Sequence, residues 1–135
     1  MSIELEREAG FPLAQAVRVR QHHLLTDASL AEGGDDAGPS PHDLYDAALA
    51  ACKAVTVMWY ARKKAIPVEQ IHTLVDRDDS QERAGSYRLT ARLQISGALT
   101  DGQLQELATV AGKCPVHKLM TTVTTEITTT VERMP

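Results

Sequence analysis

The run Ser40 to Lys64, SPHDLYDAALAACKAVTVMWYARKK, constrains this chain more than any other stretch, because it reads as one long helix with a cysteine, Cys52, near its middle. Ser40 is a good N-cap, Pro41 has its φ preset for the first helical position, and Asp43 sits where a carboxylate favours the orphan N–H groups and the positive end of the dipole. Leu44, Ala48, Ala51, Val55, Met58 and Trp59 recur at three- and four-residue steps. Arg62, Lys63 and Lys64 complement the negative end, and Pro67 stops any continuation. The alanines Ala47, Ala48, Ala50, Ala51 and Ala54 leave little bulk around Cys52, so other segments can approach it. Cys52 falls in line with Ala48, Val55 and Trp59, which predicts a thiol directed at packed neighbours on a helix central to the fold.

The remaining chain supplies strands and shorter helices. After a polar start, Leu13 to Leu25 has Val17 and Val19 alternating with Arg18 and Arg20, the period of a half-buried strand, which continues into or pairs with His22–Asp27. Residues 32–39, rich in Gly, Asp and Pro, form a loop that delivers the chain to the helix cap. Ile71 to Val75 and Ser86 to Ile95 read as the strands of a hairpin, joined by the hydrophilic Asp78 to Gly85. Thr100 or Asp101 caps a helix from Gly102 to Ala111 with a stripe of Leu104, Leu107, Ala108 and Ala111, ended by Gly112. Cys114 starts another helical turn, through Met120, with Pro115 in its first position. Thr121 to Glu132, dense in β-branched residues with Val123, Ile127 and Val131 on one face, is expected to close the sheet as a last strand.

A chain of 135 residues fits one α+β domain, residues 1–135, for which dimerisation would bury additional surface. The net charge of −4 and the absence of a basic block give no electrostatic footprint for nucleic acid or for an anionic membrane. MSIELEREAG carries acids where a signal peptide needs a basic start, and no stretch approaches the ~18 apolar residues of a membrane span. The expectation is a cytoplasmic protein, in which two cysteines are reactive or metal-binding rather than a permanent staple.

Cys52 and Cys114 lack the short spacing of a zinc knuckle or a thioredoxin-type motif, and no second pair completes a structural zinc site. A thiol peroxidase needs a thiolate, a cation or donor to activate it and polarise the O–O bond, and a second thiol to resolve the sulfenic acid. This chain has all of them. A mid-helix thiol gains little from the dipole, so Cys52 as nucleophile needs a cation from elsewhere, and Arg18 and Arg20 are the candidates. Cys114, at a predicted helix start, is the thiol that local physics alone would nominate.

GPSPHDLYDAALAAC running into a long helix, followed by CPVHKLM, together with QHHLLTD and the Gly-Gly loop, resembles the OsmC/Ohr superfamily of osmotically inducible and organic hydroperoxide resistance proteins, in its OsmC-like branch. The resemblance implies an intertwined α+β homodimer, with antiparallel sheets packed around long central helices and active sites at the subunit interface. It also implies cysteine-based reduction of small-molecule hydroperoxides, with no cofactor, and a thiol reductant to restore the pair. Carried over by position, Cys52 is peroxidatic and Cys114 resolving, and an arginine of the amino-terminal strands, Arg20 or its rival Arg18, activates the thiolate. Many family members have a glutamate directly after the motif proline, where it holds that arginine. Here the position is His42, followed by Asp43, which either holds the arginine or caps the helix.

Each residue also has a plainer reading. Free cysteines are commonly small buried hydrophobes. His22 and His23 read as solvated or satisfied side chains rather than metal ligands, and His117, on the helical side of Cys114, either tunes that thiol or bonds locally. Trp59 and Tyr60 wall a pocket for an apolar peroxide tail or serve as core. Two function classes follow: a thiol peroxidase, and a non-catalytic module on the same fold that binds a small apolar ligand or senses redox state. A metal site built from both cysteines and a histidine is a distant third.

Overall fold

A computed structural model describes residues 1–135. Strands β1 (Ile3–Arg7), β2 (Gln15–Val19) and β3 (His22–Thr26) form an antiparallel sheet in that order, with Val17 opposite Leu5 on one side and Leu24 on the other. Helix α1 (Pro41–Lys63) follows, then a two-stranded sheet of β4 (Val68–Asp78) and β5 (Arg88–Gly97), then helices α2 (Asp101–Ala111) and α3 (Pro115–Thr121). This is the α+β class expected. Contacts group the chain into two units, residues 1–48 with 75–90 and residues 49–74 with 91–135.

In the first unit, the loop before α1 is built on one carboxylate. Asp27, 4% exposed, accepts from the N–H groups of Ala28, Asp35 and Ala37 at 2.7, 3.1 and 3.1 Å, while Thr26 Oγ1 donates to the Pro39 carbonyl at 2.8 Å. Gly34 packs so closely that a Cβ there would lie 2.3 Å from the Ala28 carbonyl oxygen, which is why the loop carries glycine at this point. The chain is thereby delivered to Ser40, whose Oγ accepts from Asp43 N–H at 3.1 Å, while Asp43 Oδ2 accepts from Ser40 N–H at 2.9 Å. This reciprocal cap fixes the start of α1 where the sequence places it.

In the second unit, Val57, Ala61, Ile66 and Leu107 form the buried core, packed against Ile71 of β4 and Leu93 and Ile95 of β5. Ala91, Leu93 and Ile95 are half-buried and alternate with exposed residues, the period of two expected of a strand with one covered face. A capping box between Thr100 and Gln103 opens α2, and Gly112 ends it.

Several expectations are corrected. The polar start contains β1, because Ile3 and Leu5 alternate with acids and pair with β2. The buried line of α1 is Asp46, Leu49, Lys53, Val57 and Ala61, while Val55, Met58 and Trp59 of the predicted stripe are exposed. Leu104 of the predicted α2 stripe is exposed, and only Leu107 is fully buried. Thr121 belongs to α3, and residues 124–135 form no strand; Ile127 and Val131 stand in solvent. β-branched residues favour a pleated surface that already has neighbours, and in this chain the run pairs with no strand.

Burial raises the pKa of Asp27, but the three N–H bonds outweigh it and hold the carboxyl below its ordinary 3.8. The stabilisation this carboxylate gives is therefore complete at neutral pH and is lost as pH falls below 3.8 through the lower folded value. Asp27→Asn, which turns an amide toward three N–H donors or leaves them unmet, should lower the denaturation midpoint at pH 7 and remove part of the acid limb of a stability profile followed by circular dichroism. An unchanged acid limb would show that the loop does not depend on this charge.

Candidate active site

Cys52 and Cys114 are both free thiols, Cys52 half-buried and Cys114 fully buried. Cys114 occupies the N-cap position of α3, with Pro115 at its first helical position, as the sequence predicts. The Val116 N–H, an orphan donor of the first turn of α3, points at Cys52 Sγ at 3.4 Å, and Thr56 Oγ1 lies 3.9 Å from the same sulfur. A mid-helix thiol on α1 therefore receives an N–H group from the start of another helix, two residues after the second cysteine. That is donor geometry suited to a sulfur carrying negative charge.

Beside the two thiols lies a group the sequence reading did not single out. Lys53 is 6% exposed, and its Nζ donates to the Ala111 carbonyl at 2.8 Å and to His117 Nδ1 at 3.0 Å. His117, expected to tune Cys114 or bond locally, instead bonds to α1. It lines a depression of about 390 Å³ together with Cys114, Lys113, Lys118 and Thr121. A lysine directly after a cysteine in a helix gives no signal of burial, so only its position on the Asp46–Leu49–Val57 line marks it.

The first unit holds a second polar cluster. Arg77 of β4 donates from Nη2 to Asp43 Oδ1 and from Nε to Asp46 Oδ2, the latter at 2.5 Å, and Tyr87 donates its hydroxyl to Asp46 at 2.7 and 2.9 Å. Asp43 caps α1 with one oxygen and pairs through the other with Arg77, not with either arginine of the amino-terminal strands. The arginine is neither Arg18 nor Arg20. Arg77 lies beyond Val75, where the sequence predicts this strand to end, because β4 continues to Asp78. The N–H of Ser40 and the Arg77 guanidinium keep Asp43 below its ordinary value. Burial and then Asp46 push the Tyr87 hydroxyl up to about 12. His42, at the position where family members carry glutamate, pairs with Glu82 at 2.7 Å and packs edge-on to Tyr87.

The other predicted residues are placed as follows. Arg18 pairs with Glu4 across β1 and β2. Arg20 lies in the two-residue turn after β2, not on the strand, at a φ of 54°, with Nη1 3.6 Å from Met1 Sδ. Trp59 lines an open apolar depression of about 500 Å³ with Ala54, Val55, Met58 and Arg62, and Lys63 Nζ stands 5.0 Å from its ring centre. Tyr60 does not share that wall: it packs on the core and donates its hydroxyl to Glu106 of α2. No cluster of three or more His, Cys, Asp or Glu side chains is arranged to hold a metal ion. No helix is long and apolar enough to cross a membrane.

The profile of the OsmC-like protein family matches residues 33–130. A search of curated proteins finds no match. Among solved structures, the chain is similar to a protein of Psychrobacter arcticus 273-4 named for osmotic stress induction and a detoxification response, with 21% identity, a TM-score of 0.74, and 88% of this chain and 87% of that one covered. An OsmC-like protein from Mycoplasma pneumoniae is 20% identical over 90% of this chain and 87% of that one, with a TM-score of 0.70. An organic hydroperoxide resistance protein from Legionella pneumophila is 18% identical over 90% of both chains, with a TM-score of 0.63.

Asp46→Asn removes the charge that accepts from Tyr87 while keeping a polar side chain in its place. In a background with Tyr45 and Tyr60 changed to Phe, the remaining tyrosine should titrate clearly below the value near 12, yet stay above 10 because burial persists. Tyrosinate absorbance against pH reads this directly. The same change should cost about 2 kcal/mol or more in urea unfolding, since Arg77 loses one of its two carboxylates.

Proposed function

This chain belongs to the OsmC-like family, and on that premise we propose that it is a thiol-dependent peroxidase that reduces organic hydroperoxides through Cys52, resolved by Cys114. The observation that carries the reading is the N–H of Val116 on Cys52 Sγ at 3.4 Å, which sets the first turn of the Cys114 helix against the half-buried thiol. A nucleophile needs access and a donor beside it; Cys52 is half-buried and has the Val116 N–H at its sulfur. A resolving thiol does best shielded until it is needed, and Cys114 is fully buried.

In this mechanism the Cys52 thiolate attacks the distal oxygen of the hydroperoxide, the O–O bond breaks, and the alkoxide leaves with a proton as an alcohol. The Cys52 sulfenic acid then condenses with Cys114 to give a disulfide and water, and an external thiol restores the pair. The activating cation in the proposal is Arg20. Its guanidinium makes no ion pair, whereas Arg18 and Arg77 are each committed to carboxylates.

The proposal includes a homodimer formed through the exposed side of α1. Val55, Met58 and Trp59 leave large apolar surfaces in water there, and a second copy would cover them and close the adjacent depression into a pocket for an apolar peroxide tail. The hairpin tip carrying Arg20 is exposed and available to such a partner.

Stopped-flow oxidation with cumene hydroperoxide and with hydrogen peroxide, with intact mass at each time point, tests the reading. Wild type should form an internal disulfide rapidly, Cys52→Ser should be inert, and Cys114→Ser should accumulate sulfenic and higher acids. Arg20→Ala should slow the first step by about tenfold or more, with Arg18→Ala near wild type. Oxidation no faster than that of free cysteine would sink the peroxidase and leave the non-catalytic module of this family.

A further inference from the structure

We propose that Lys53 is a positioning residue for disulfide closure, clamping the segment that carries Cys114 through hydrogen bonds to both sides of it. The inference rests on the reading that Cys52 is the thiol oxidised first. Lys53 is buried without a carboxylate, and burying an ammonium is costly unless acceptors meet it; two do so here. Its partners are the carbonyl of Ala111, the last residue of α2, and Nδ1 of His117 in α3. An ammonium only donates, so His117 accepts at Nδ1 and carries its ring hydrogen on Nε2.

These two acceptors straddle Cys114 in the chain, and Lys53 directly follows Cys52. One turn of α1 therefore presents the sulfur to be attacked and also holds both ends of the segment bearing the attacking sulfur. Inside that segment, the Val116 N–H reaches Cys52 Sγ. Cys114 and His117 also line a depression of about 390 Å³, so the clamped segment borders open space on one side.

The step served is the attack of Cys114 sulfur on the sulfenic sulfur of Cys52. The S–S bond forms and the S–O bond breaks, and the hydroxide leaves with the thiol proton as water. Cys114 sulfur is oxidised and Cys52 sulfur reduced, the oxidising equivalent having come from the hydroperoxide. Holding two reacting atoms together is worth large factors in rate, and a small misplacement forfeits much of it.

The test follows two rates in the same samples, dimedone-trapped sulfenic acid and disulfide by intact mass, after mixing reduced protein with cumene hydroperoxide. Lys53→Met and His117→Phe should oxidise Cys52 within about twofold of wild type yet close the disulfide about tenfold or more slower. His117→Asn, which keeps an acceptor near Nδ1, should close within about threefold of wild type. His117 is half-buried on the rim of a depression, so its pair of variants carries the test even if Lys53→Met does not fold.

Diamide, which takes two electrons and two protons from a thiol pair across its N=N bond, reads closure without peroxide. If wild type ignores peroxide but diamide closure is still slowed in His117→Phe and rescued in His117→Asn, the clamp stands and the peroxidase reading falls. Closure at the wild-type rate in both Lys53→Met and His117→Phe, or His117→Asn as slow as His117→Phe, overturns the clamp.

Discussion

Two charged side chains, Asp46 and Lys53, stand on the buried line of α1, and neither could remain there without partners brought from far along the chain. Burial makes every unmet donor or acceptor expensive, so these positions act as demands on the rest of the fold. Asp46 is answered by Arg77 of β4 and Tyr87 just before β5. Lys53 is answered by the end of α2 and by α3. The hairpin and the two short helices are thus each tied to α1 by a polar contact of defined geometry, in addition to apolar packing that alone would tolerate sliding.

The same division explains how a helix with apolar residues on several sides distributes its work. Val57 and Ala61 go to the core with Leu107, and the line through Asp46 and Lys53 goes to the polar ties. Val55, Met58 and Trp59 are left over on the outside, where large apolar side chains gain nothing from water. Lys63 lying over the Trp59 ring covers only part of that surface. In the proposed homodimer, this stripe is the surface that the second copy covers.

What the sequence disclosed divides along physical lines. Local rules succeeded: Ser40, Pro41 and Asp43 mark the start of α1, Thr100 opens α2, and Cys114-Pro115 opens α3, because capping depends on residues within one turn. The period of two was equally legible in β5. Long-range satisfaction was not. Nothing next to Lys53 in sequence foretells that its ammonium will meet an imidazole on α3, and nothing next to Arg77 foretells two aspartates on α1. The helix stripe was misassigned for the same reason: apolarity shows which faces can be buried, not which one is buried within a single copy. The final run differs, since Val123, Ile127 and Val131 have strand propensity but pair with no edge of either sheet.

The two thiols show how such long-range ties join positions that are far apart in the chain. On α1 alone, Cys52 would be a small side chain in an alanine-rich turn, with its own helix's N–H groups already spent on the backbone. At the N-cap of α3 alone, Cys114 would be a buried thiol with no cap bond to make. The Val116 N–H joins the two situations, because a donor that belongs to the Cys114 helix is spent on the Cys52 sulfur. The half-buried thiol thereby receives an N–H contact from the helix whose N-cap is the fully buried one. In the proposed mechanism that asymmetry separates attack from resolution, and it arises from where α3 begins rather than from any residue adjacent to Cys52 in the chain.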